Sequence, residues 1–217
     1  MTMDPLAARL TAQGVAFASQ IAGAARRHGV DPELLAAVAA QETGGPGSNA
    51  GRNVVGDGGH GHGIFQIDDR WHAFAATAAS MNPAKNADYA AGMLHELLAE
   101  NGGDAHRALS AYNAGSPTAR GTTTQWHDGS VLGYADSVLR HYRDLTGRAD
   151  SGSGESPQSS AVANVQSAVA NTGMLQNVAQ RFPPLPAPSH PHHQPAYRHQ
   201  ATDYLSLTTD DTTTDAT

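Results

Sequence analysis

Residues 31–45, DPELLAAVAAQETGG, decide the fold class. Asp31 offers a capping carboxylate, Pro32 suits the first helical position, and Glu33 places an acid in the first turn. Leu34, Leu35, Val38 and Ala39 then recur on one face, and Gly44, Gly45 and Pro46 end the helix. Glu42 stands at its C-terminal end after an apolar run. Desolvation and the negative end of the helix dipole both favour a protonated carboxyl there. A carboxylic acid held neutral near pH 7 is the proton donor that glycosidic bond cleavage needs.

Upstream, a helix is expected from about Gln13 to His28, with Ile21, Ala24 and Ala25 inward and Gly29 as its stop. Downstream, Gly47 to Gly63 is too rich in glycine for a helix and too poor in side chains for a core. Ile64-Phe65-Gln66-Ile67 is a short strand-like run. Asp68 or Asp69 is expected to cap a helix reaching Ala79. Asn82-Pro83 opens another, with Met93, Leu94, Leu97 and Leu98 buried and Gly102-Gly103 closing it. Asp104 caps a helix through Leu109 to Tyr112. A loop containing Trp126 leads to a last helix from about Ser130 to Leu145, with Val138, Leu139 and Tyr142 inward. The expected class is mainly α: a helical domain over residues 1–146 with at most a small sheet near 54–68.

Beyond Gly147 the composition changes. Residues 147–160 (GRADSGSGESPQSS) are expected to form a linker. Residues 161–217 are a low-complexity tail with one short helical pattern in Val162, Val165, Val169, Leu175 and Val178. The 217 residues contain no cysteine, which excludes disulfides, thiolate metal sites and a cysteine nucleophile. A formal net charge of −7 argues against a nucleic-acid partner. No stretch approaches a membrane span. The first residues lack a cationic leader and apolar core, so the reading expects no standard signal peptide.

Asp57 in the glycine-rich loop and Asp68 after the strand-like run are the acids that could face Glu42 across a cleft. A second carboxylate there would hold water or stabilise charge developing on a sugar. Each also has an ordinary reading, Asp57 as a turn residue and Asp68 as a cap, and spacing alone leaves both readings open. A phosphate cradle is excluded, because no P-loop spacing and no following lysine exist. His60 and His62 flank Gly61, and they are read as cleft-bordering or solvated side chains rather than metal ligands.

QETGG, GDGGHGHGIFQID, AYNAG and YADSVLRHY occur in this order over about residues 12–146. Together they resemble goose-type lysozymes and the soluble lytic transglycosylases. The resemblance implies a lysozyme-like fold that cuts the glycan strands of peptidoglycan without a cofactor or metal. It implies Glu42 as the catalytic acid and Asp57 and Asp68 as the acids that position water. Gln66, Tyr112, Asn113, Tyr134, His62 and Phe65 would contact substrate or shape the groove. The two aspartates favour hydrolysis, because the transglycosylases work with one glutamate and close an anhydro ring with the substrate's own 6-hydroxyl. An inactive virion or sugar-binding module is the rival from another class. A bacteriophage lysin, in the virion or in the infected host, is the expected context. An effector delivered by a secretion apparatus is the alternative, and the tail could contact virion or delivery-apparatus proteins.

Overall fold

The computed structural model describes residues 4–147. The linker and tail expected beyond Gly147 lie outside those residues. Among the described residues, no helix is long and apolar enough to cross a membrane.

The architecture is mainly α. Helices α1 (Pro5–Ala12), α2 (Ala18–His28), α3 (Pro32–Ala39), α4 (Pro83–Glu100), α5 (Ala105–Ala114) and α6 (Tyr134–Thr146) enclose one apolar core. The caps form as the residues suggest. Asp31 accepts from the backbone N–H groups of Glu33 and Leu34, Asn82 from Ala84 and Lys85, and Asp104 from Arg107. These contacts satisfy amides that the first helical turn leaves without partners. Helix α3 is the centre: every residue from Glu33 to Ala39 is buried. Its alanines let neighbouring helices approach closely, while Leu35 and Val38 fill the space between them.

Three elements differ from the sequence expectation. The helix expected from Gln13 begins only at Ala18, and a helix that was not expected, α1, precedes it; Gly14 and Phe17 both take positive φ and break the chain between the two. No regular helix follows Asp68. Turns run to a short 3-10 segment at Ala78–Met81; Asp68 accepts from the Arg70 amide as a cap would, and from its guanidinium as well, but no helix continues from it. The last helix begins at Tyr134 rather than Ser130. Residues Val131–Gly133 form strand β5, paired antiparallel with β4 (Thr123–Gln125).

The small sheet expected near residues 54–68 is present. Strands β1 (Val54–Gly56), β2 (Gly61–Gly63) and β3 (Ile67–Asp68) form an antiparallel meander. Glycine is required here by crowding. A Cβ on Gly61 would lie 2.6 Å from Gln66 Oε1, and one on Gly63 would lie 2.5 Å from Asn86.

Candidate active site

Glu42 sits where α3 loses its α-helical spacing. Residues Ala40–Gly44 form a π-helical turn, closed by the Gly45 amide donating to the Ala40 carbonyl at 2.9 Å. Such one-residue widenings recur at functional sites. Thr43 fastens the turn to the sheet side, donating to the Ile64 carbonyl at 3.1 Å and accepting from the Arg52 amide at 2.8 Å. On the other side, Gln41 Nε2 donates to Thr124 Oγ1 on β4 at 2.7 Å.

The turn opens into a cleft of about 540 Å³, counted out to its mouth, whose lining includes Glu42, Gln66, Asp68, Trp71, His72 and Tyr112. Phe65 and Asn113 also contribute to the lining. Glu42 keeps partial contact with solvent, yet its carboxyl is densely surrounded by protein. Burial pushes its pKa up, the hydrogen bond from Tyr134 pulls it down, and the result is about 7. The Tyr134 hydroxyl donates to Glu42 Oε1 at 2.5 Å.

Tyr134 is the first residue of α6 and is buried, so it supports the acid from behind the cleft. Its ring stacks on Tyr112 with centroids 6.4 Å apart. The Tyr112 hydroxyl points to the Phe65 carbonyl at 3.5 Å. Burial raises both tyrosines well above the ordinary phenol value, and the charge of Glu42 adds to the effect, so both remain donors.

The segment opposite Glu42 buries Ile64, Phe65 and Ile67 in the core, and polar side chains fix the backbone around them. Asn86 of α4 is fully buried; it accepts from the Phe65 amide at 2.9 Å and donates to the His62 carbonyl at 3.0 Å. Gln66 takes a φ of 47° and turns its amide inward, donating to the carbonyls of Val54 and Gly63. Gln66 therefore shapes the cleft wall while its amide group is bound by the backbone of the sheet.

Asp68 lies in the cleft with Glu42, whereas Asp57 stands behind it and is joined to it through Arg70. Arg70 Nε donates to Asp68 Oδ1 at 2.9 Å, and Arg70 Nη2 donates to Asp68 Oδ2 at 2.5 Å and to Asp57 Oδ2. Burial pushes the Asp68 pKa up, but the bonds and charge of Arg70 outweigh it and hold the group below the usual carboxylate range. Asp68 is thus an anion throughout the neutral range.

His62 falls outside the cleft lining; its Nε2 meets Asp69 Oδ2 at 3.1 Å. Asn113 lines the cleft while its Oδ1 accepts from the Thr122 amide at 2.9 Å. The sequence reading missed Arg70, Trp71, His72, Asn86 and Met93. His72 has its pKa lowered by burial against the opposing charge of Asp68, and its Nδ1 meets the Tyr89 hydroxyl at 3.1 Å. Trp71 is exposed beside the cleft. For Arg70, Trp71 and His72 the available signal was proximity to Asp68 in sequence, which the expected helix obscured; Asn86 and the cleft-lining Met93 lie far from it on α4.

The arrangement can deliver a proton from Glu42 into a groove that holds a permanent anion, Asp68, and a neutral imidazole, His72. A model of the family described as Transglycosylase SLT domain matches residues 19–128, which include Glu42, Asp57, Asp68 and Tyr112 but not Tyr134. No curated protein and no solved structure matches the chain.

Proposed function

Because the chain belongs to the Transglycosylase SLT domain family, we propose that it severs the β-1,4 bond between N-acetylmuramic acid and N-acetylglucosamine in peptidoglycan. The observation that carries this reading is Glu42, an acid with a pKa of about 7 at the wall of an open cleft. Near neutral pH a large share of its molecules carries the proton. Glu42 gives that proton to the glycosidic oxygen as the bond to the anomeric carbon breaks, and positive charge develops on the sugar. The permanent anion at Asp68 stabilises that charge.

The acceptor that completes the reaction is water in our reading. Asp68 accepts a hydrogen bond from it and orients it toward the anomeric carbon, and Asp57 and Arg70 fix the direction of Asp68. A strong base is not needed, because the attacked carbon is already electron-poor. The attacking water loses its second proton to solvent, from which Glu42 regains its own, and the products are two shorter glycan strands, one carrying the new hydroxyl and the other the hydrogen.

One observation favours a second reading. Arg70 binds both oxygens of Asp68, which makes that carboxylate a weak base. In that case the muramic acid's own 6-hydroxyl attacks, and Glu42, ionised after the first step, takes its proton. Mass spectrometry of fragments from purified cell wall separates the two. Hydrolysis gives reducing muramic ends, and anhydromuramic ends one water lighter would replace our reading with the second. Binding to cell wall without any fragment release would sink both.

A further inference from the structure

At the end of the three-stranded sheet, next to the cleft, His60, His62 and Asp69, which the proposed chemistry does not use, gather beside Asp68, which it does. His60 Nδ1 meets Asp69 Oδ1 at 2.8 Å, and His62 Nε2 meets the other oxygen of the same carboxylate at 3.1 Å. One ligand atom each from His60, Asp68 and Asp69 lies within 4.8 Å of the other two. Backbone pairing holds the three together, since Gly61 opposes Asp68 in the β2–β3 register and the Asp69 amide donates to the His60 carbonyl at 3.1 Å.

We propose that His60, Asp69 and Asp68 bind a first-row divalent metal ion, with His62 orienting Asp69, and that the bound ion restrains Asp68. The spacing suits such an ion. Donors bound tetrahedrally at about 2.1 Å stand about 3.4 Å apart, so the cluster needs only a modest contraction. One imidazole and two carboxylates select zinc, manganese or cobalt over calcium or magnesium, which prefer oxygen alone. Asp57, Asp68 and Asp69 also bring three carboxylates to this end of the sheet against the single guanidinium of Arg70, which pairs with Asp57 and Asp68, so the carboxylates still outnumber the guanidinium. The His62–Asp69 contact is the outer hydrogen bond that ligating carboxylates commonly receive.

The consequence follows from Asp68 belonging to both groups. A lone pair given to the ion is lost to water in the cleft, so occupancy slows cleavage. This effect rests on the hydrolytic reading, whereas binding of the ion does not.

Thermal unfolding of the full-length protein with Zn²⁺, and with Mg²⁺ as control, tests the site. An ion bound only by the folded state at 100-fold above its Kd should raise Tm by roughly 5 °C or more. The shift should survive when His190, His192, His193 and His199 of the tail are changed to Ala. It should vanish in His60→Ala and in Asp69→Asn, the latter keeping the shape of the native side chain and one of its two accepting oxygens. An equal shift in both variants, no shift in the wild type, or a shift lost with the tail histidines overturns the site. Zn²⁺ should also slow fragment release several-fold in the wild type and not in Asp69→Asn. A Tm shift without slower cleavage would keep the site and discard the restraint.

Discussion

The helical scaffold and the glycine-rich segment between Gly44 and Asp69 are ordered by different forces. In the scaffold, Leu35, Val38, Leu94 and Val138 bury apolar surface completely, and the helix caps are local. In the segment, Ile64, Phe65 and Ile67 anchor one end in the same core, and side-chain amides and hydroxyls order the rest. Asn86, Gln66 and Thr43 bind backbone groups across distances in sequence that no helical pattern covers. The scaffold tolerates error, because apolar contacts are non-directional. The segment does not, because each of its hydrogen bonds has one geometry.

The sharpest break in this comparison is Glu42→Gln, which should lower fragment release by about 10³-fold or more while the fold persists. The same change should stabilise the protein in alkali. A carboxyl whose folded pKa is raised from 4.5 to about 7 favours the fold below the lower value and loses that advantage as pH rises through the upper one. Chemical denaturation at pH 8.5 should therefore find the variant more stable by about 2–3 kcal/mol. Next comes the scaffold: Leu35→Ala should cost about 3 kcal/mol, with kcat of the folded protein unchanged. In the segment, Asn86→Ala should cost about 2 kcal/mol by leaving a buried amide and carbonyl unsatisfied. Unlike Leu35→Ala, it should also lower kcat, which a parallel denaturation and rate measurement will show. Equal kcat in the two variants would erase the distinction between the regions. The smallest effect expected is that of Tyr134→Phe. The lost hydrogen bond lets the Glu42 pKa rise, so the alkaline limb of the rate profile should move to higher pH. The rate at the optimum should fall about tenfold, from looser positioning of the acid.

What could be read beforehand follows the same division. Asp31, Asn82 and Asp104 act as the caps their neighbours suggest, because a cap is settled within four residues. Glu42 was legible for the same reason, as an acid closing an apolar helix. The π-helical turn around it was not, since the widening depends on Thr43 reaching Ile64 and Gln41 reaching Thr124. Arg70 and His72 were missed because Asp68 looks like a helix cap in sequence, and only the fold shows its carboxylate engaged by Arg70. The β4–β5 hairpin escaped notice because its strands are three residues each and rest on α6 and on the turn that holds Glu42.

The hydroxyl that holds Glu42 lies 92 residues further along the chain, at the start of the final helix. During synthesis Glu42 therefore emerges long before the group that bonds its carboxyl and lowers its pKa. A nascent or truncated chain ending before α6 holds every residue of the family match and still lacks a finished acid. Assembly of the last helix is the step that arms the molecule.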